Sequence, residues 1–298
     1  MKLKEHYENH LGDISPLLWG TTYAVVSSEF VGWSPFALAV WRALPAGFIL
    51  LILKPTMPKP SELPALLLIG FLNIALFFGL LFAAALKLPS TLVGVGMIAL
   101  PVVSLAIMGI AHQVKPSMIQ LVSALVLLGC SAYLFLTSHA PISHQLYYSW
   151  LVLVHLREVL LLNTKNPWWK LLTWKLIFGG IILLPLAYWD VFSGGKAVVP
   201  LVPNNFEQWL AMGWIIIGLT SVAYGAYVYT IPLITTNELS FFGTFNPILA
   251  MILGVTLMGD SLTHVQIGVM ALMVVSNLIA QFFEYRKKLP TEQEVINY

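Results

Sequence analysis

The chain has 298 residues, 58% of them hydrophobic and 9% charged, and its mean hydropathy is +0.84. Its 15 basic and 13 acidic side chains are too few to wet the surface of a soluble protein, which carries about 25% charged residues, and a net charge of +2 gives no basic footprint for nucleic acid. A lone cysteine, Cys130, excludes an internal disulfide framework and a Cys-rich metal site, which leaves an all-α polytopic membrane protein.

A helix crossing the hydrocarbon core needs about 20 mostly apolar residues. Such stretches follow one another at Ile14–Phe30, Pro35–Leu53, Leu63–Leu86, Thr91–Ile110, Ser117–Thr137, Gln145–Leu162, Trp168–Trp189, Trp209–Pro232, Leu239–Met258 and Val265–Phe283. The breaks between them carry Pro, Gly, Asn and charge, as helix ends do. The runs are continuous rather than short and alternating, so ten transmembrane helices are expected and a β-barrel is not. Residues 1–13 hold Lys2, Lys4, Glu5 and Glu8, and no small-residue cleavage site follows the first apolar run. That run reads as a retained helix behind a polar tail.

Polar side chains at membrane depth face protein or water rather than lipid. In chain order they begin with Trp19, Thr22 and Tyr23 on the first span. Arg42 follows, about 10 Å into the second span at 1.5 Å per residue. Its guanidinium could hold a substrate carboxylate in a bidentate pair; the competing reading is that it caps a neighbouring helix or snorkels. Asn73 sits mid-way along the third span. His155 and Glu158, three apart on one face of the sixth, are candidates for proton coupling; placement near the interface, where Arg157 snorkels, is the alternative. Two such ligands without a third make no zinc site, and no cofactor is expected. Tyr224 and Tyr227 share a face of the eighth span, Asn246-Pro247 breaks the ninth and frees a carbonyl, and Asn277 lies on the tenth. Together these residues could line a mildly polar, aromatic cavity; for each alone, interhelical hydrogen bonding is the competing account. Gly94, Gly96, Gly179 and Gly180 read as close-packing positions. Trp33, Trp168, Trp169, Trp189 and Trp209 read as interfacial anchors.

Orientation follows from the loops. With the N-terminus in the cytoplasm, cytoplasmic segments hold Lys2, Lys4, Lys54, Lys59, Lys115, Lys165, Lys170, Arg286, Lys287 and Lys288, and outer loops hold only Lys87 and Lys196. Both termini are therefore expected to be cytoplasmic.

The chain also resembles itself. Trp41-Arg42-Ala43-Leu44-Pro45-Ala46-Gly47 matches Trp174-Lys175-Leu176-Ile177-Phe178-Gly179-Gly180, 133 residues on. Pro101 with Lys115-Pro116-Ser117-Met118-Ile119-Gln120 matches Pro247 with Ser261-Leu262-Thr263-His264-Val265-Gln266, 146 residues on. The longer loop near Asp190–Gln208 absorbs the difference. This divides the chain into a tail (1–13), a first five-helix repeat (14–137), a second (138–283) and a cytoplasmic C-terminal tail (284–298). Five is odd, so the second copy enters the bilayer from the opposite face. Inverted repeats place a substrate site near the midplane between them.

Trp19-Gly20, Ser34-Pro35 and Arg42, with Asn246-Pro247, Gly259-Asp260-Ser261-Leu262-Thr263 and Gln266 near the end, resemble the opening and close of EamA-type permeases of the drug/metabolite transporter superfamily. The resemblance spans about residues 14–283. It implies a ten-helix, two-repeat permease for amino acids, amines, nucleotide-like metabolites or drugs, often moved outward. Two departures stand out: the first repeat reads His112-Gln113-Val114-Lys115 where a Gly-acidic turn is expected, and the sixth span carries His155-Leu156-Arg157-Glu158.

The expectation is a secondary transporter, an exporter or exchanger, of a small organic metabolite such as an amino acid or related compound, in a plasma or bacterial inner membrane. Its partners are that solute and the lipid bilayer, with no nucleic acid, and the chain acts as a monomer or homodimer. An uncoupled channel-like facilitator, a membrane-embedded enzyme and a nontransporting subunit are the alternatives. No Gly-x-x-x-x-Gly-Lys phosphate loop and no nucleophile–base or full metal set is evident, so no enzymatic activity is expected.

Overall fold

The computed structural model describes residues 15–98, 117–137, 167–192, 200–230 and 245–288. Every regular element among these residues is helical. Helix α1 covers 15–20 and Thr22–Glu29, with a break at Thr21, whose hydroxyl donates to the Leu18 carbonyl at 2.7 Å. The others are α2 (Pro35–Leu53), α3 (Pro60–Ala85), α4 (Ser90–Ile98), α5 (Met118–Thr137), α6 (Trp168–Phe192), α7 (Phe206–Thr230), α8 (Phe245–Thr256) and α9 (His264–Lys288). By length and composition α2, α3, α6 and α7 can cross a membrane, and shorter apolar helices lie within α5, α8 and α9. The span expected at Gln145–Leu162, with His155 and Glu158, lies outside the described residues.

Local chemistry sets the helix starts. Ser34 accepts from Ala37 N at 3.2 Å ahead of Pro35, which needs no donor at the first helical position. Asn205 accepts from Gln208 N at 2.8 Å, so α7 begins at Phe206, three residues before the Trp209 expected from hydropathy. The matched motifs Ser117-x-x-Gln120 and Thr263-x-x-Gln266 are both capping boxes. In each, the glutamine side chain accepts from the first residue's N–H (2.8 and 2.9 Å) and the hydroxyl accepts from the glutamine N–H (3.3 and 3.2 Å). Trp33 is buried, edge-on to Phe30 with centroids 5.1 Å apart, rather than standing at an outer surface. The turn at Gly32, with φ of 83°, brings the chain back there.

The helices that the sequence repeat equates pack against each other, and each pair runs antiparallel. In α2–α6, a Cβ on Gly47 would lie 2.8 Å from Ile177 and one on Gly180 would lie 2.6 Å from Leu44. Leu44 and Ile177 are themselves 133 apart, as are Gly47 and Gly180. The two contacts are one contact seen from either copy, as at an isologous interface. As one index rises the other falls, which fixes the antiparallel direction. The same reversal holds in α4–α8, where Gly94 meets Ala250 and Gly254 meets Thr91. It holds again in α5–α9, where Ser123 faces Ser276 (3.2 Å) and Thr137 faces Gln266 (3.5 Å). Small residues let the backbones approach, which carries helix association where no water is present to drive it.

Two further features are duplicated. Helix α3 widens to a π-helical segment at Phe71–Leu76, and α7 does so at Trp214–Val222. In α7 the loosened carbonyls are met by side chains: Thr220 Oγ1 donates to Ile215 O at 2.8 Å and Ser221 Oγ to Ile216 O at 3.0 Å. At one end of the bundle Lys170 of α6 holds both carboxylate oxygens of Glu62 at the head of α3 (2.7 and 2.8 Å). Separately, Asp260, in the turn after α8, accepts from the first-turn Thr91 N–H and hydroxyl of α4, both at 3.0 Å.

Candidate functional site

The central apolar cluster joins α1, α2, α3, α6 and α7, with Val93 of α4 and Ala250 of α8, and polar side chains are set inside it. Arg42 of α2 is 3% exposed. Its Nε donates to Thr220 Oγ1 at 3.0 Å, in the π-helical segment of α7. Its guanidinium carbon stands 4.1 Å above the Phe78 ring and 5.8 Å from that of Phe82, both on α3. Its Nη1 is buried with no hydrogen-bond partner. Arg42 thus neither snorkels nor caps helix carbonyls with that nitrogen. A cation–π contact supplies part of the stabilisation, but an unmade charged hydrogen bond in a buried site is costly, and the free donor marks where an acceptor fits.

Lys175 of α6, the repeat mate of Arg42, is equally enclosed at 4% exposed. Its Nζ donates to the Tyr224 hydroxyl at 2.6 Å and lies 4.1 Å from that ring's centroid. Tyr224 is the position 146 residues after Phe78. The two cation–aromatic pairs are therefore copies of one arrangement, and their rings meet at 6.4 Å.

Trp19 of α1 closes the aromatic wall. Its ring lies 5.7 Å from Tyr224, edge-on, and 5.0 Å from Tyr227, and its Nε1 donates to Leu219 O at 2.9 Å. Tyr23, one turn further along α1, is fully buried, with the side chains of Asn246 and Arg42 near it. Asn246, in the first turn of α8, keeps a buried Oδ1 without a partner.

Of the residues expected from sequence, Trp19, Tyr23, Arg42, Tyr224, Tyr227 and Asn246 thus form one connected group. Thr22 is buried beside Tyr23. Asn73 lies in the π-helical segment of α3, five residues before Phe78, with a buried Oδ1 that has no partner. Asn277 is buried on α9, next to Ser276, which contacts α5. His155 and Glu158 lie outside the described residues. Sequence reasoning gave no role to Phe78, Phe82 and Thr220 and had Lys175 only as the repeat match of Arg42. The signal that finds them is the repeat itself, which sets Lys175 against Arg42 and Tyr224 against Phe78.

Comparison with known proteins points to the same architecture. The profile of the EamA-like transporter family matches the chain twice, at residues 11–137 and 150–280. Protein PecM of Dickeya dadantii is 28% identical over 98% of both chains. The Uncharacterized inner membrane transporter YedA of Escherichia coli K12 is 25% identical over 87% of this chain and 86% of its own. A protein crystal structure at 15% identity superposes on 93% of this chain and 99% of its own with a TM-score of 0.65, a likeness of fold.

Proposed function

The chain belongs to the EamA-like transporter family, and from that premise we propose that it is a secondary carrier in an inner membrane. It moves a small organic metabolite, an amino acid or a related compound, outward or in exchange. The observation that carries this is the buried Arg42 guanidinium with an open Nη1, set where α2, α3, α6 and α7 of both repeats meet. A purely structural arginine in so apolar a place would be expected to have all its donors satisfied. One that keeps a donor free beside aromatic walls suits a solute that arrives and leaves.

The carrier works by alternating access. Ten spans form two inverted five-helix repeats, with both termini cytoplasmic, and the repeats rock about a site near the midplane. The antiparallel register of α2–α6, α4–α8 and α5–α9 supports the inversion, and the lysine-rich loops support the orientation. Trp19, Thr22, Tyr23, Arg42, Asn73, Tyr224, Tyr227 and Asn246 bind the solute, and Asn277 contributes from α9. His155 and Glu158 couple transport to protons. The chain works as a monomer or homodimer without catalysing a reaction.

Counterflow in proteoliposomes, with a labelled panel of amino acids, amines and nucleosides and with or without a pH gradient, tests the reading. Saturable exchange of at least one solute is expected. None across the panel would remove the carrier. Flux that ignores the gradient and survives Glu158→Gln would remove proton coupling alone.

A further inference from the structure

The seam between α1, α4 and α8 leads from the candidate site to one end of the bundle. Beside the site, a Cβ on Gly20 of α1 would lie 2.9 Å from the Asn246 carbonyl and 2.8 Å from Leu249 of α8. On the other side of α8, a Cβ on Gly94 of α4 would lie 2.9 Å from Ala250 and 3.1 Å from the Pro247 carbonyl. The end of α8 stands about 15 Å beyond Asn246 at 1.5 Å per residue, and there side chains join the three helices. Ser27 Oγ of α1 lies 3.2 Å from Ser90 Oγ of α4 and donates to Met258 Sδ at 3.4 Å. Asp260 Oδ2 takes both the N–H and the hydroxyl of Thr91, each at 3.0 Å. Asp260 is itself held by its N–H, which donates to the Gly254 carbonyl at 3.0 Å. Gly254 leaves the room, since a Cβ there would lie 2.6 Å from Thr91 and 2.8 Å from Asp260 Oδ2.

The first turn of a helix leaves N–H donors unmet, and for α4 an acceptor comes from the other repeat. Thr91 is fully buried and Asp260 half-buried. The bond therefore sits at a rim, where water takes over both partners once the helices part. The residue matching Asp260 in the first repeat, 146 positions earlier, is Val114, whose side chain accepts no hydrogen bond. The duplication that copies the packing contacts does not copy this bond. We propose that Asp260–Thr91 is a one-sided latch of the transport cycle. It holds the α1–α4–α8 seam shut and parts whenever a solute passes between the candidate site and this end of the molecule. This rests on the carrier reading and adds to it a positioning residue, Asp260, that touches no solute. Two matched repeats alone would leave the two ends of the carrier equal; a bond present in one of them breaks the tie, so the empty carrier rests with this end closed.

The test uses the full chain with Cys130→Ala, so that introduced thiols are the only ones. Val93→Cys puts a thiol on α4 inside the central cluster, where the position is 0% exposed. Ala43→Cys puts a reference thiol in the α2–α6 pair, against Gly180. A membrane-impermeant maleimide is applied without solute to intact cells and to inside-out vesicles. Asp260→Val, which copies the first repeat, should speed labelling of Val93→Cys by about tenfold, the weight of one charged hydrogen bond. The gain should come from one face only and leave Ala43→Cys unchanged. No gain overturns the latch; so does a gain at both thiols or from both faces, which is what loss of a merely structural cap would give. A second measurement fixes the bond. Thr91→Cys with Asp260→Cys, oxidised to a disulfide or spanned by a short bis-thiosulfonate, should lose about tenfold or more of its counterflow across the panel of amino acids, amines and nucleosides and regain it on reduction. Undiminished flux in the bridged protein overturns the proposal. Labelling decides by itself if this pair carries nothing even when reduced. Silence of the unaltered chain across the panel removes the carrier reading and the latch's part in transport together, whereas a failure in labelling removes the latch alone and leaves the carrier standing.

Discussion

The antiparallel pairs α2–α6 and α5–α9 are the same kind of object, one helix from each repeat laid against its mate, yet they differ in what they bury. In α2–α6 the backbones are pressed so close that a Cβ on Gly180 would overlap Leu44, and each helix carries one basic side chain inward. In α5–α9 the contact is mainly apolar, from Leu127, Leu134, Met270 and Met273, with the Ser123–Ser276 and Thr137–Gln266 pairs as polar contacts. Gly129 and Gly268 there face open space. Close packing and buried charge thus occur together in the central pair, whereas among the described residues the outer one buries no charge and its glycines take no part in the contact. Charge can be held in so apolar a setting only where the surrounding helices are fixed closely enough to keep its partners in place.

Glycine substitutions test that contrast most strongly. Gly180→Leu must push Leu44 and Ala43 aside and should lower stability by about 1–3 kcal/mol or more, read as an earlier thermal unfolding midpoint in detergent. Gly129→Leu and Gly268→Leu should stay within about 0.5 kcal/mol of the parent. Equal losses at all three would erase the distinction between the pairs.

Side chains in the centre come next. Arg42→Met replaces a buried charge by an apolar chain of similar length, so the fold should hold while flux falls by about tenfold or more, the equivalent of one charged hydrogen bond. Thr220→Val leaves Arg42 Nε without its acceptor and should cost about 1–3 kcal/mol, whereas Thr220→Ser should restore both stability and flux. Among the side-chain changes the smallest is expected in the outer pair. Ser123→Ala or Ser276→Ala should change stability by about 0.6 kcal/mol with flux unaltered. A transport defect there would mean that the serine pair itself takes part in solute handling.

Sequence carried the helical class and the doubled design far, because an apolar run long enough to cross a bilayer is hard to mistake and the two capping boxes recur in the same order. It carried the site only in part. Trp19, Tyr23, Arg42, Tyr224, Tyr227 and Asn246 were legible because a polar or amphipathic side chain at membrane depth needs a partner. Phe78 and Phe82 were not, since a phenylalanine under a cation has the same letter as one facing lipid. Asn277 shows the converse: its polarity was visible, but no pattern said that its helix would meet α5 through the neighbouring Ser276. The π-helical segments of α3 and α7 have no sequence signature at all, and Lys175 is visible in the sequence only as the match of Arg42.

The π-helical segment of α3 decides which phenylalanine meets Arg42. Residues on an ordinary helix advance by about 100° each, so a chain counted at that pitch from Asn73 brings Phe77 round to the same side. The wider turn delays the rotation by one position, and it is Phe78 that lies under the guanidinium. Removing one of residues 74–76 would return α3 to ordinary pitch with Phe78 still beneath Arg42, whereas closing the wide turn at full length would turn everything after it like a screw and carry Phe77 there instead.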